Sequence, residues 1–379
     1  MLAPRPPAGD LEHLPEQQSL ASVGQVSISD LFLATLSEQN EAAASQLSVA
    51  PEAWYQKSNE NQTLTTATTN RYAEPELSWF LTPDSWEIQK DWTSTPPPPS
   101  SLFRSFVTAI RGWLRDWAVH GNNIFIHKEL YRSDLPCYLE DAYTTLVAYR
   151  AKTEETEDMV LQIVENRTTG LCQQSVLLEE VESLDTKAHL ARTQALLVYT
   201  LIRLFDGCPR QRALAEDTLC TLSQWCHQMR DAAVTEAPRL FEQLTLLRPG
   251  EDGGGGGGRG ALELATWRAW ILSESVRRTW MLVSSTINVY GSKKNGWAGC
   301  GGILLFTTRQ GLWEAPSAWQ WAQQVRKQSP LFMESRNVRL LMEEASPAET
   351  DLFTNQLLSV VHSPEQRDRW VAKMALVQG

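Results

Sequence analysis

Leu190-Ala-Arg-Thr-Gln-Ala-Leu-Leu-Val-Tyr-Thr-Leu-Ile-Arg-Leu-Phe205 is apolar on nearly every side of a 3.6-residue period. A surface helix shows one apolar stripe, whereas a helix that is apolar all round belongs in the middle of a helical packing. Asp206-Gly207 ends it, and the stretch is too short and too broken by Thr200 and Arg203 for the roughly 18 apolar residues of a membrane helix. The segments around it repeat the helical signal. Ser100 and Ser101 can cap a helix in which Phe103, Phe106, Val107, Ile110, Trp113, Leu114 and Trp117 recur three or four residues apart, with Gly121 as the stop. Leu139 to Ala151, Asp158 to Cys172, Gln211 to Arg230, Val234 to Leu247 and Ala261 to Val289 are further expected helices, and from Ala318 the chain reads as helical again through Pro347–Val361 and Pro364–Leu376. The one strand-like piece is Ile303 to Thr307. The expected fold class is all-α, a large helical domain over residues 101–379 with a glycine-rich loop at 249–260.

Residues 1–100 read differently. They hold thirteen Asp and Glu against four Lys and Arg, so most of the chain's net charge of −11 lies there. Gln, Ser, Thr, Asn and Pro dominate, and such a stretch buries too little apolar surface to offset the entropy of ordering. The expectation is a disordered acidic segment. Trp54-Tyr55, Trp79-Phe80, Trp86 and Trp92 stand among its acids, an acidic-aromatic interleaving typical of activation segments; the alternative is a tail whose aromatics dock onto the folded part. Pro96–Pro99 marks a stiff boundary.

Composition excludes several function classes. An acidic chain without a basic stripe is a poor grip for phosphate backbones. Met1 to Asp10 carries three prolines and no apolar core, so no secretory signal is expected. The six cysteines, Cys137, Cys172, Cys208, Cys220, Cys226 and Cys300, contain no C-x-x-C pair and read as reduced thiols. Cys220, Cys226 and His227 are the densest metal-ligand cluster, but about 120° separates the two cysteines around a helix, which favours a buried pair of thiols with a surface histidine. Gly253–Gly258 lacks the Lys-Ser/Thr that a phosphate loop needs, and Glu251-Asp252 would repel an anion. Cys300, in a turn of small residues, has no assignable base. His120 and His127 flank Gly121–Ile126 as loop residues rather than an acid–base pair. No catalytic, metal or cofactor site is expected, and the chain does not read as an enzyme.

Two features stand out on the longest helix. Fifteen tryptophans are many for 379 residues, and Trp113, Trp117, Trp267, Trp270, Trp280, Trp313, Trp319 and Trp321 sit in or beside the strongest helices, where large aromatics wedge helices together. Glu274 can reach Arg277 at i+3 and Arg278 at i+4. With Trp270 one turn earlier, these residues form a candidate partner or effector surface, against the plainer reading of a polar edge packed on another helix.

Six blocks in order carry a resemblance. They are Arg111–Trp117, His120–Tyr131, Leu139–Tyr143, Leu190–Gly207, Trp270–Trp280 and Gly296–Ser317. Together they resemble the regulatory region of fungal binuclear zinc-cluster (six-cysteine) transcription factors, over about residues 101–370. The resemblance implies an all-α regulatory domain in the nucleus, a controller of secondary-metabolite genes, whose partners are the transcription machinery or a DNA-binding family member, with a candidate small-molecule effector and no membrane contact. The family's clustered N-terminal cysteines have no counterpart here, since the first cysteine is Cys137. That argues against direct duplex binding by this chain as written. The alternatives are a full zinc-cluster activator whose first exon is missing from the sequence, and a helical small-molecule-binding protein or enzyme.

Overall fold

A computed structural model of the chain describes residues 77–89, 100–177, 184–248, 256–296, 302–333, 341–343, 345–361 and 364–377. The expectations for residues 1–76 and 90–99, for the first part of the glycine-rich loop and for the turn around Cys300 lie outside them. The fold is all-α. Helices α1 (Ser100–His120), α2 (Cys137–Arg150), α3 (Glu157–Leu177), α4 (Thr186–Phe205), α5 (Pro209–Leu246) and α6 (Gly256–Asn295) come first. They are followed by β1 (Phe306–Thr307), α7 (Ala318–Lys327), β2 (Phe332–Met333), α8 (Leu352–Val361) and α9 (Pro364–Val377). The two short strands pair antiparallel, Phe306 opposite Met333 and Thr307 opposite Phe332.

The stretch read as buried on all sides is the centre of the molecule. Asp185 caps α4, its Oδ1 accepting the Ala188 amide at 2.7 Å. From His189 to Leu204 every residue of α4 is buried, with α1, α2, α3, α5 and α6 packed around it. A helix so enclosed must satisfy its polar side chains inside the protein. Thr193 and Thr200 donate to the carbonyls of His189 and Leu196 one turn back, at 2.7 and 2.8 Å. Gln194 accepts from the Tyr131 hydroxyl at 2.8 Å and donates to Phe125 O and Thr279 Oγ1, so one side chain ties α4 to the loop after α1 and to α6. Arg192 donates to Gln228 at 2.6 Å, touches His189 Nδ1 at 2.8 Å and lies over the Trp225 ring.

Gly121, at a positive φ of 70°, ends α1 where the sequence placed its stop. Elsewhere the helices run further than their patterns implied. The pieces expected at 211–230 and 234–247 are one helix, because Asp231-Ala232-Ala233 holds no breaker and Pro238 is carried inside. α6 starts at Gly256, inside the glycine run, which shortens the expected loop. The region after Pro347 is a turn before it becomes helix, so α8 begins only at Leu352.

The folded body also extends N-terminally beyond residue 101. Residues 77–89 form two 3-10 turns, Trp79–Leu81 and Pro83–Trp86, with Phe80, Leu81 and Trp86 buried in the main core. Gln89 and Ile303 exchange backbone hydrogen bonds at 2.9 and 2.8 Å. Aromatic docking thus holds for this part of the acidic segment.

The position of α4 predicts a sharp contrast. Leu197→Ala, at a fully buried site, should destabilise the body by about 2–5 kcal/mol. Val119→Ala, 64 % exposed at the end of α1, should change stability by no more than about 0.5 kcal/mol. Paired urea titrations followed by far-UV circular dichroism check this.

Candidate functional site

The strongest concentration of unusual chemistry lies on α6 and is built by helical spacing. Glu274, Arg277 and Arg278 sit at i, i+3 and i+4. All three have relative exposures of 1 % or less, as does Trp270 one turn earlier. Arg278 uses every nitrogen. Its Nε donates to Glu274 at 3.0 Å, Nη1 to Ile124 O at 3.3 Å, and Nη2 to Thr307 O at 3.2 Å and to Asp351 Oδ2. The guanidinium also lies 4.2 Å from the Trp313 ring centroid. Glu274 accepts the Thr307 amide at 3.1 Å, while Asp351 Oδ1 accepts the Thr354 amide at 2.9 Å and so caps α8. Burial by itself would lower the Arg278 pKa; the carboxylates of Asp351 and Glu274 outweigh it and hold the guanidinium above its ordinary value.

Arg277 meets a different part of the chain, residues 80–86, and has no comparable company. Its Nη2 donates to Phe80 O at 2.7 Å, Ser85 Oγ at 2.9 Å and Ser85 O at 3.3 Å, and its guanidinium stacks 4.0 Å from the Trp86 ring centroid. Its Nε and Nη1 are buried without a hydrogen-bond partner. Burial pushes its pKa down to about 10, with the Glu274 charge opposing.

The expectation of a partner or effector surface at Glu274, Arg277, Arg278 and Trp270 is therefore corrected: these side chains face inward. Trp270 packs against Trp313 and Trp321 with ring centroids 6.4 and 5.4 Å apart. The i+3 and i+4 spacing was legible, but the remaining partners, Asp351, Phe80 and Ser85, lie 73 to 197 residues away in sequence, and nothing local announces them. Of the eight helix-associated tryptophans, seven are buried; Trp319 is 62 % exposed on the outer side of α7.

His127 is the other buried titratable group of this neighbourhood. Its Nε2 donates to Trp313 O at 2.9 Å and its Nδ1 accepts the Glu129 amide at 3.1 Å, which fixes one neutral tautomer. Burial pushes its pKa from 6.5 down to about 4, with the Trp313 carbonyl opposing and the charges of Lys128 and Arg278 contributing. His127 contacts Trp313 and Trp267 edge-on rather than a nucleophile. The remaining candidates separate. Cys226 is buried and its thiol pKa is pushed up by burial, whereas Cys220 is exposed, so the expected buried pair does not form. The His227 ring meets the Trp280 ring 4.8 Å away. Among the described residues no three His, Cys, Asp or Glu side chains converge as a metal site. No described helix is long and apolar enough to cross a membrane. Two clefts, of about 240 and 210 Å³, lie beside Trp117, Tyr131 and Tyr143 and beside Gln162, Glu165 and Arg210. Both are smaller than the roughly 300–1,000 Å³ of typical ligand pockets.

The chain is similar to a fungal transcription factor. The relative is transcription factor gsfR2 of Penicillium aethiopicum, 27 % identical over 214 residues, which make up 56 % of this chain and 48 % of that protein. The chain thus spans about half the length of the curated relative it matches. No family model matches the chain, and no solved structure matches it.

Two outcomes follow from this geometry. Arg278→Met leaves Glu274 and Asp351 buried without their cation and should cost about 3–5 kcal/mol, while Arg278→Met with Asp351→Asn should recover part of that loss; chemical denaturation of the three proteins reads it. His127 titrates lower in the folded state than in the unfolded one. Protonation of the unfolded chain below pH 6.5 therefore destabilises the fold, progressively down to about pH 4. Between pH 7 and pH 5 this group should remove about 2 kcal/mol, a pH dependence that His127→Asn should lack in urea titrations at the two pH values.

Proposed function

We propose that this protein is a transcriptional regulator acting in the nucleus through protein contacts made by its helical body, and that it controls genes of a fungal secondary-metabolite cluster. The similarity over 214 residues to a protein named as a transcription factor carries this reading, and the six blocks from Arg111 to Ser317 support it. The inward-facing chemistry agrees with it. Glu274 and Arg278 of α6 serve one another, Asp351 and the backbone, so they are spent on architecture rather than on a substrate. The body's partners, on this reading, are components of the transcription machinery or a DNA-binding relative, and the protein is not an enzyme.

Deletion of the gene in its host should shift transcripts of one contiguous set of biosynthetic genes several-fold, with a tagged copy in the nucleus; unchanged transcripts across every such set would overturn the proposal. Because the chain is acidic overall, with a net charge of −11, the purified protein should bind a promoter duplex weakly at 150 mM salt, at about the micromolar level or above, and bind less as salt rises. Fluorescence anisotropy over a salt series measures this.

A second reading is favoured by one observation, that the chain covers about half of its relative. Here the product in the cell is a longer zinc-cluster activator that reads DNA directly. An in-frame C-x2-C-x6-C pattern in the genomic sequence upstream of Met1, present in the transcript, would establish it.

A further inference from the structure

Residues 77–89 meet the body as a ligand meets a site. They contribute two short 3-10 turns instead of a helix of the bundle, and they lie across α5, α6 and strand β2 of the two-stranded sheet. Phe80 and Trp86 are the anchors, at exposures of 0 and 2 %. The body answers with two arginines that read the segment's backbone. Arg230 of α5 donates to Trp86 O from Nη2 at 2.8 Å and from Nε at 3.2 Å. Arg277 of α6 donates to Phe80 O, Ser85 O and Ser85 Oγ and stacks on Trp86. Side-chain anchors in pockets with main-chain carbonyls held by donors is how peptides are recognised.

The fit is incomplete in a directed way. Arg277 Nε and Nη1, and the indole N–H groups of Trp79 and Trp86, are buried without partners. No carboxylate of the described residues lies within ion-pairing distance of Arg277. The segment's own acids, Asp84 and Glu87, are exposed and leave the guanidinium to carbonyls and a hydroxyl. Water can reach Arg277 when the segment leaves, and an occupant carrying a carboxylate at the Ser85 position would set an anion against the buried guanidinium, where Ser85 Oγ now accepts from Nη2 at 2.9 Å. We infer that the groove between Arg230 and Arg277 is a peptide-binding site in which residues 77–89 are an exchangeable resident, and that the partner it fits is an acidic, aromatic-anchored peptide of another protein. The inference goes beyond the regulatory role, since it is read with purified components whatever the protein regulates.

The probe is a fluorescein-labelled synthetic peptide of residues 77–89, titrated by anisotropy into three forms of the full chain. Trp86→Ala loosens the resident segment and leaves the groove intact. Gln89→Cys with Ile303→Cys, oxidised, locks the segment at its backbone bridge. Hydrogen exchange of the α4 amides reports the body in each form. The peptide should bind Trp86→Ala at least about tenfold more tightly than the wild type, and the locked form should not bind it. A peptide with Ser85→Asp should gain a further tenfold or more, as a charge-assisted bond to a buried guanidinium requires. Equal binding by all three forms, absence of binding to Trp86→Ala, or loss of α4 protection in that variant would overturn the inference; the last would make residues 77–89 an integral part of the core. A Ser85→Asp peptide that binds no more tightly would overturn the acidic partner.

Discussion

Arg278 meets two carboxylates in a place that water does not reach, and the last third of the chain is arranged around that meeting. Each charge taken out of water costs several kcal/mol, which mutual attraction recovers only when the geometry is good and the remaining donors and acceptors are filled. Here they are filled. Arg278 engages Glu274, Asp351 and the carbonyls of Ile124 and Thr307, and the two carboxylates accept the amides of Thr307 and Thr354. One guanidinium therefore fixes four parts of the chain at once: α6, the loop after α1, strand β1 and the start of α8. Hydrophobic side chains in place of all three charged residues could supply comparable stability, but they could not dictate which carbonyl and which amide stand opposite. The short two-stranded sheet and α8 have little packing surface of their own, and a directional centre is what sets their position.

The tryptophans and α4 do the complementary work, which is not directional. α4 is enclosed by five helices, and the cluster of Trp270, Trp313, Trp321 and Trp267, with His127 between two of them, fills the wedge between α6, α7 and the loop after α1. Their burial drives collapse, and the charged centre selects one arrangement of it. Both devices turn polar chemistry inward. His127, Gln194, Arg192 and Arg278, the residues that would head a search for catalysis, each finish with protein partners.

How much of this the sequence discloses depends on whether a feature is local. The period of Phe103 to Trp117, the stop at Gly121 and the all-round apolar character of Leu190–Phe205 are decided within a few turns, and they place helices where the fold has them. The joining of 211–230 to 234–247 is also a local matter, but a weak one: two alanines and an aspartate leave the pattern of apolar residues without leaving the helix. Residues 77–89 are only half legible, since their aromatics offer docking as one of two readings. Their composition matches the acidic, polar stretch around them, and what orders them is Arg277, almost two hundred positions later. The same distance hid the role of Glu274 and Arg278. Their i+4 pairing was visible, while its burial is set by Asp351 and Thr307, which no window on α6 contains.

The blocks that carry the family resemblance fall largely on the interior. Trp113 and Trp117, Ile124 to His127, Leu139 and Ala142, Leu190 to Leu204, Trp270 to Trp280, and Phe306, Leu312 and Trp313 are, with few exceptions, buried. They include the wall of the aromatic wedge, the enclosed helix and the charged centre. Such residues are constrained by packing density and by buried polar satisfaction, both intolerant of substitution. A resemblance made of core blocks is thus evidence for a shared scaffold before it is evidence for a shared target. Outside those blocks are an acidic N-terminal stretch and the aromatic segment 77–89, whose carbonyls Arg230 and Arg277 hold. Specificity is more readily altered at a groove with open donors than at a centre whose every nitrogen is engaged. Arg277 and Arg278, adjacent in sequence and equally buried, place those two conditions about 100° apart around one helix.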